Sequence, residues 1–178
     1  MIALTDRAFA LGIHPTARGF GWAVLDGPFS AFDHGLFTSK GREKNRLCLA
    51  RVDRLIDEFA PDCLILESFD KESSMRSKRI RDLCLSIINL AADRGVSVAV
   101  YRRSDVQAAF AGAGARTREE IADAALRNLP MLGSRRPDKR GPGDSEDKRL
   151  AIFSAAALVL TWYHFGSLGL MGDLGRAA

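Results

Sequence analysis

The hydrophobic period of this 178-residue chain changes once, near residue 46, and that change limits the folds open to it. Before it, three short apolar segments follow one another closely. Residues 8–13 end at His14-Pro15, residues 20–25 close on the turn signal Asp26-Gly27-Pro28, and residues 31–38 form the third. Strands so near in sequence have room for hairpin links, which predicts an antiparallel meander. After it, helix and strand alternate. Residues 46–59 set Leu47, Ala50, Leu55, Ile56 and Phe59 at helical spacing until Pro61-Asp62. Residues 63–66 are a compact apolar strand running into Glu67. Residues 76–94 form a second helix closed by Gly95, and residues 96–101 a β-branched fifth strand. This alternation predicts parallel pairing in the second half.

The remainder reads as helical. Ser104 is placed to cap a short helix through Phe110, which Gly112 and Gly114 end. Thr117 and Glu120 have capping-box spacing for a helix to Leu129, stopped by Pro130. Residues 131–145, rich in Gly, Pro and basic side chains, read as a mobile loop. A last helix is expected from about Ser145 to Phe165. The expectation is one α/β domain over residues 1–165, a mixed five-stranded sheet with helices, followed by a flexible tail at residues 166–178.

Composition narrows the function classes. Hydrophobic residues are 47% and charged residues 27%, enough to build a core and too apolar for a disordered chain. The net charge of +4 permits nucleic-acid binding without establishing it. Three cysteines, Cys48, Cys63 and Cys84, give neither a disulfide framework nor a zinc motif, which fits a reducing, cytoplasmic setting. Asp6 and Arg7 interrupt any secretory leader. The longest apolar stretch, residues 151–165, is short of the roughly 20 residues that span a bilayer. No membrane partner is expected.

Four segments carry a resemblance. Leu11-Gly-Ile-His-Pro-Thr-Ala-Arg-Gly-Phe-Gly-Trp-Ala-Val24 is similar to the opening of RuvC-type Holliday junction resolvases, where a strand ends in an acid before a Pro/Gly turn. Pro61-Asp-Cys-Leu-Ile-Leu-Glu67 resembles the family's second motif, a strand delivering a glutamate. The segment from Tyr101 through Arg102, Arg103 and Val106 to Gly112 and Gly114 resembles the approach to its basic helix. Residues 145–160 resemble its last helix, which brings further carboxylates. The resemblance implies an RNase H-like fold, a homodimer, and a branched-DNA substrate. It also implies hydrolysis of a phosphodiester by Mg²⁺ or Mn²⁺ held on carboxylates, since two ions about 4 Å apart can activate water and stabilise the leaving oxygen.

The candidate catalytic residues on this resemblance are His14, Glu67, Glu146, Asp147 and Ser154, with His14, Glu67 and Asp147 as metal ligands. Two positions depart from the pattern. His14 stands where an aspartate is expected, and neutral imidazole neither carries charge nor bridges two ions. Ser154 stands where the last helix should present an acid, with Ala151 one turn earlier. Glu146 and Asp147 have another reading as acids offsetting a helix dipole. The candidate DNA contacts are Lys71, Arg76, Lys78, Arg79, Arg102, Arg103, Arg116 and Arg118, with Arg135, Arg136, Lys139 and Arg140 on a basic loop able to close over DNA. These too could be ordinary solvated surface. Three functions follow: a junction endonuclease with reduced activity, a catalytically silent RuvC-like DNA-binding or complex-forming protein, and an RNA-processing nuclease of the same fold.

Overall fold

The computed structural model describes residues 8–70, 76–139, 141, 143 and 145–174, with side chains described as far as Gly166. Five strands form one sheet: β1 (Ala10–Pro15), β2 (Gly19–Gly27), β3 (Ser30–Thr38), β4 (Cys63–Glu67) and β5 (Ser97–Tyr101). Their order is β3-β2-β1-β4-β5. β1, β2 and β3 pair antiparallel, whereas β1–β4 and β4–β5 are parallel. Antiparallel pairing among the first three strands and parallel pairing after them is what the change of period implied, and the mixed sheet is of the RNase H-like kind that the resemblance implied. Its helices are α1 (Lys44–Phe59), α2 (Lys78–Asp93), α3 (Arg103–Phe110), α4 (Arg118–Asn128) and α5 (Leu150–Leu174).

Strand alternation divides the sheet into two faces, each with its own core. Leu11, Ile13, Phe20, Trp22, Leu64 and Leu66 pack with Val52 and Leu55 of α1 and Leu83 and Ile87 of α2. Ala10, Ala23, Leu25, Cys63 and Ile65 face the other way, against α4 and α5. All three cysteines are free and buried.

α5 lies close to the sheet because β1 and β2 present glycines to it. A Cβ on Gly12 would stand 2.2 Å from the Ala155 carbonyl oxygen, and one on Gly21 2.3 Å from the Ala151 carbonyl carbon. Between sheet and α4, every residue of α5 from Ala151 to Thr161 is buried except Ser154. That single opening fixes where the site lies.

Several local expectations change. The Thr117–Glu120 capping box is present, with both reciprocal bonds made. α3, however, starts at Arg103, with Asp105 accepting the Arg102 backbone N–H at 2.7 Å, so Ser104 is not its cap. α5 starts at Leu150, five residues later than Ser145, because Asp147 takes the Arg149 backbone N–H at 2.8 Å and caps the turn there. The helix, expected to end near Phe165, runs on to Leu174; its Leu and Met residues favour continuation despite the glycines. Part of the expected loop is a 3₁₀ segment, Pro130–Arg135. Among the described residues no helix is long and apolar enough to cross a membrane.

Candidate phosphodiester site

β1, β4 and β5 are parallel, so their carboxyl ends share one edge of the sheet, where α/β proteins commonly place their sites. The register pairs Gly12 with Ile65 and Ile13 with Leu66, which sets His14 beside Glu67. Both lie two residues beyond positions facing α5, so both turn to that face. Ser154 meets them there. His14, Glu67 and Ser154 line one cavity of about 50 Å³, with Arg103, Arg118 and Phe153 among the other walls. Three of the five candidate catalytic residues are therefore brought together.

The cavity is crossed by a chain of polar contacts. Arg76 Nη2 donates to Glu67 Oε2 at 2.6 Å and its Nη1 to the Pro15 carbonyl at 3.2 Å. Arg118 Nη2 lies 3.0 Å from His14 Nε2, while its Nη1 donates to Glu146. A guanidinium has no acceptor, so Nε2 must carry the lone pair and the imidazole proton sits on Nδ1. Burial first, then the charges of Arg76, Arg118 and Arg103, hold the His14 pKa well below its ordinary value of 6.5. His14 is thus neutral, and its Nδ1 contact with Glu67 Oε2 at 3.5 Å is not an ion pair. At that length it is not a hydrogen bond either, and buried Nδ1 has no hydrogen-bond partner among the described residues.

Asp147 is not part of this cavity. Its carboxylate takes the Arg149 guanidinium at 2.8 Å as well as the backbone N–H that caps α5. Arg149 and the helix start account for it, as the dipole reading allowed. Glu146 is joined to the site through Arg118.

The basic candidates separate into two groups. Arg76 and Arg118 are built into the site. Arg79 donates to the Thr16 carbonyl at 2.8 Å and to Asn45, which ties the β1–β2 turn to α1 and α2. Arg102, Arg103 and Arg116 are exposed near the sheet edge, and exposed Lys78 pairs with Asp82. Lys71 lies outside the described residues. In the expected DNA-closing loop, Arg136 is instead held at 2.6 Å by Glu119 and 2.9 Å by Asp123, with Lys139 near Asp123; Arg140 lies outside the described residues.

A pair of resident divalent ions does not fit these side chains. Hard ions need several anionic oxygens, and among the described residues one carboxylate, Glu67, reaches the cavity, already held by Arg76. His14 Nε2, the lone pair open to a metal, is covered by Arg118. Among the described residues no group of three or more His, Cys, Asp or Glu is placed to hold a metal ion. The sequence showed the missing acids at positions 14 and 154. It gave no signal of the Arg118–His14 contact, which joins residues 104 apart.

A second, larger cavity of about 590 Å³ lies among α3, α4 and the end of α5, walled largely by apolar side chains such as Phe110, Leu160 and Trp162. It shares no lining residue with the first.

Comparison with known proteins agrees with this architecture. No protein-family model matches the chain. The crossover junction endodeoxyribonuclease RuvC of Pelodictyon phaeoclathratiforme (strain DSM 5477 / BU-1) is 26% identical over 132 residues, covering 68% of each protein. Thermus thermophilus RuvC, solved in complex with a Holliday junction substrate, superposes with a TM-score of 0.68 over 91% of this chain and 96% of its own, at 21% identity. Ydc2, the yeast mitochondrial Holliday junction resolvase, gives 0.62 over 90% and 80%, at 11% identity. The chain has the RuvC fold and resembles RuvC in sequence.

Proposed function

We propose that this chain is a RuvC-like endonuclease of branched DNA whose junction binding is retained and whose hydrolysis is slow. The observation that carries the reading is the meeting of His14, Glu67 and Ser154 in one cavity at the carboxyl ends of β1 and β4. These are positions at which the RuvC resemblance places acids. Exposed Arg102, Arg103 and Arg116 lie beside that edge and suit phosphate contacts along a duplex arm. Slow hydrolysis follows from the donor set: without acids at 14 and 154, Mg²⁺ or Mn²⁺ has little to bind.

A second reading, a silent junction-binding protein, is favoured by one observation. Arg118 sits on the His14 nitrogen that a metal would use. A four-way junction has two-fold symmetry, so a symmetric dimer is proposed for either reading.

The test compares a four-way DNA junction, a linear duplex and a hairpin RNA in binding and in cleavage with Mg²⁺ or Mn²⁺. Preferred binding of the junction with slow cuts at its crossover is the expected result. Junction binding with no cuts above background, under conditions that detect one cut per day, selects the silent reading. Equal affinity for junction and duplex, or preference for RNA, contradicts both.

A further inference from the structure

We propose that Arg18, Lys40 and Arg42 form a second DNA-backbone surface, on the far side of the cavity from Arg102 and Arg103, and that a clamp between Arg79 and Asn45 holds it in place. That the polyanion is DNA rests on the function proposed above; the charge and the clamp do not.

Placement is the first support. β1 ends with Pro15 opposite Phe20 of β2, and β2 begins with Gly19 opposite Thr38 of β3. The turn holding Arg18 and the loop holding Lys40 and Arg42 therefore leave the sheet at the edge where His14 lies. The Ser39 backbone N–H donates to the Arg18 carbonyl at 2.8 Å and joins the two segments. Arg102 and Arg103 follow β5, at the other end of the strand order. From the end of β3 to the end of β5 is four strand spacings, about 19 Å. A major groove is about 12 Å wide, so the two groups meet separate stretches of backbone.

Charge is the second. Arg18, Lys40 and Arg42 are exposed, and none has a carboxylate partner among the described residues. The neighbouring acid, Glu43, is taken by Arg46, which donates to it from Nη2 at 2.8 Å and from Nε at 3.2 Å. Other exposed cations are paired, Lys78 with Asp82 and Arg94 with Asp53 and Asp57. Gly41, at φ 88°, turns the chain between Lys40 and Arg42. Cations gathered without counter-charges repel one another, and a row of phosphates relieves that repulsion.

The clamp is the third. Arg79 Nη2 donates to the Thr16 carbonyl at 2.8 Å and to the Ala17 carbonyl at 3.2 Å, and its Nη1 donates to Asn45 Oδ1 at 2.8 Å. Asn45 Nδ2 donates back to the Arg79 carbonyl at 3.0 Å. One guanidinium thus fixes the turn before Arg18 to the first turn of α1, just beyond Arg42. A lysine would keep the charge but lacks the planar fork that serves three acceptors. Both terminal nitrogens of Arg79 point at protein oxygens, so Arg79 is a positioning residue and Arg18 is the one that touches the backbone. A turn held before DNA arrives has less ordering left to do on binding.

The experiment measures binding of the whole chain to a four-way junction and to a linear duplex against salt. Losing one phosphate contact lowers the salt slope by about one. Arg18→Gln should show that loss, and Lys40→Gln together with Arg42→Gln about twice it, each with weaker affinity. Arg54→Gln, exposed and about 15 Å along α1 from Lys44, should change neither. Arg79→Lys should weaken binding alone and add almost nothing once Arg18→Gln is present. Equal losses in the two backgrounds overturn the clamp, since a merely structural arginine or a direct phosphate contact would give them. The surface is overturned if the Arg18, Lys40 and Arg42 variants keep native affinity and slope, or lose no more than Arg54→Gln; these exposed positions decide it even where Arg79→Lys does not fold. A chain that binds junction and duplex alike, both weakened by these variants, keeps this surface and refutes the branched-DNA function. A preference for junction that the variants leave untouched keeps that function and refutes the surface.

Discussion

Arg118 donates to His14 Nε2 across 3.0 Å, and this contact decides the protonation of the one imidazole in the site. The acceptor nitrogen cannot carry a proton, so His14 is the neutral Nδ1–H tautomer. Nuclear magnetic resonance of ring-labelled histidine should show an unprotonated Nε2 and a protonated Nδ1 at neutral pH. It should also show no protonation of His14 as pH falls through 6.5.

The same shift links pH to stability. In the unfolded chain His14 takes up a proton near its ordinary value of 6.5, whereas the folded protein keeps it neutral to well below that. Above 6.5 the two states bind equal numbers of protons, and His14 adds no slope. Below it the unfolded state binds more, so stability falls with pH down to the folded pKa. The slope from this group is at most about 1.4 kcal/mol per pH unit. Denaturant unfolding of native protein and His14→Gln at several pH values measures it; the variant should lose that part of the slope.

Gly12 sets the depth of α5. The Gly12→Ala methyl would meet the Ala155 carbonyl oxygen at 2.2 Å, backbone that cannot swing aside as a side chain can. The expected loss is about 1–3 kcal/mol or more by denaturant unfolding. Because the displaced helix carries Ser154, junction binding should weaken beyond what the loss of folded protein explains.

Arg136 separates structural arginines from DNA-facing ones. Its side chain is 11% exposed and bridges Glu119 and Asp123 of α4. Arg136→Ala leaves both carboxylates without this partner, and the expected cost is about 1–3 kcal/mol, since the acids are themselves partly in water. The salt slope of junction binding should stay unchanged. Arg102→Gln should do the reverse, lowering affinity and slope with native stability.

Burial pushes the Cys84 thiol up to about 11, and raises Cys48 and Cys63 as well. A thiolate-directed reagent at pH 8 should therefore leave the native protein almost unmodified. All three cysteines should react in denaturant.

Local periodicity carried much of the architecture. Short apolar or β-branched runs bounded by turn signals gave the five strands, and Thr117 with Glu120 gave the start of α4, because hairpins and caps involve near neighbours in sequence. His14 and Glu67 sharing a face also follows from alternation once β1 and β4 are adjacent. Other features depend on contacts across the chain. Nothing local to Arg118 shows that it reaches His14, and nothing near Arg76 shows that it holds Glu67. Asp147 was legible either as a ligand or as a helix-start acid, and the competing local partner, Arg149, is two residues away. The start of α5 was misplaced for the same reason: Ser145 has the type of a cap, but Asp147 makes the bond.

The most direct measurement is a Mn²⁺ titration followed by electron paramagnetic resonance, on the native chain and on the variant carrying His14→Asp, Ser154→Asp and Arg118→Ala. Replacing the imidazole and the hydroxyl by carboxylates while removing the covering guanidinium should create a Mn²⁺ site where the native chain binds the ion only at the level of its general surface. Tight Mn²⁺ binding by the native chain that Glu67→Gln abolishes would contradict the view that arginines stand in this cavity where an ion pair would.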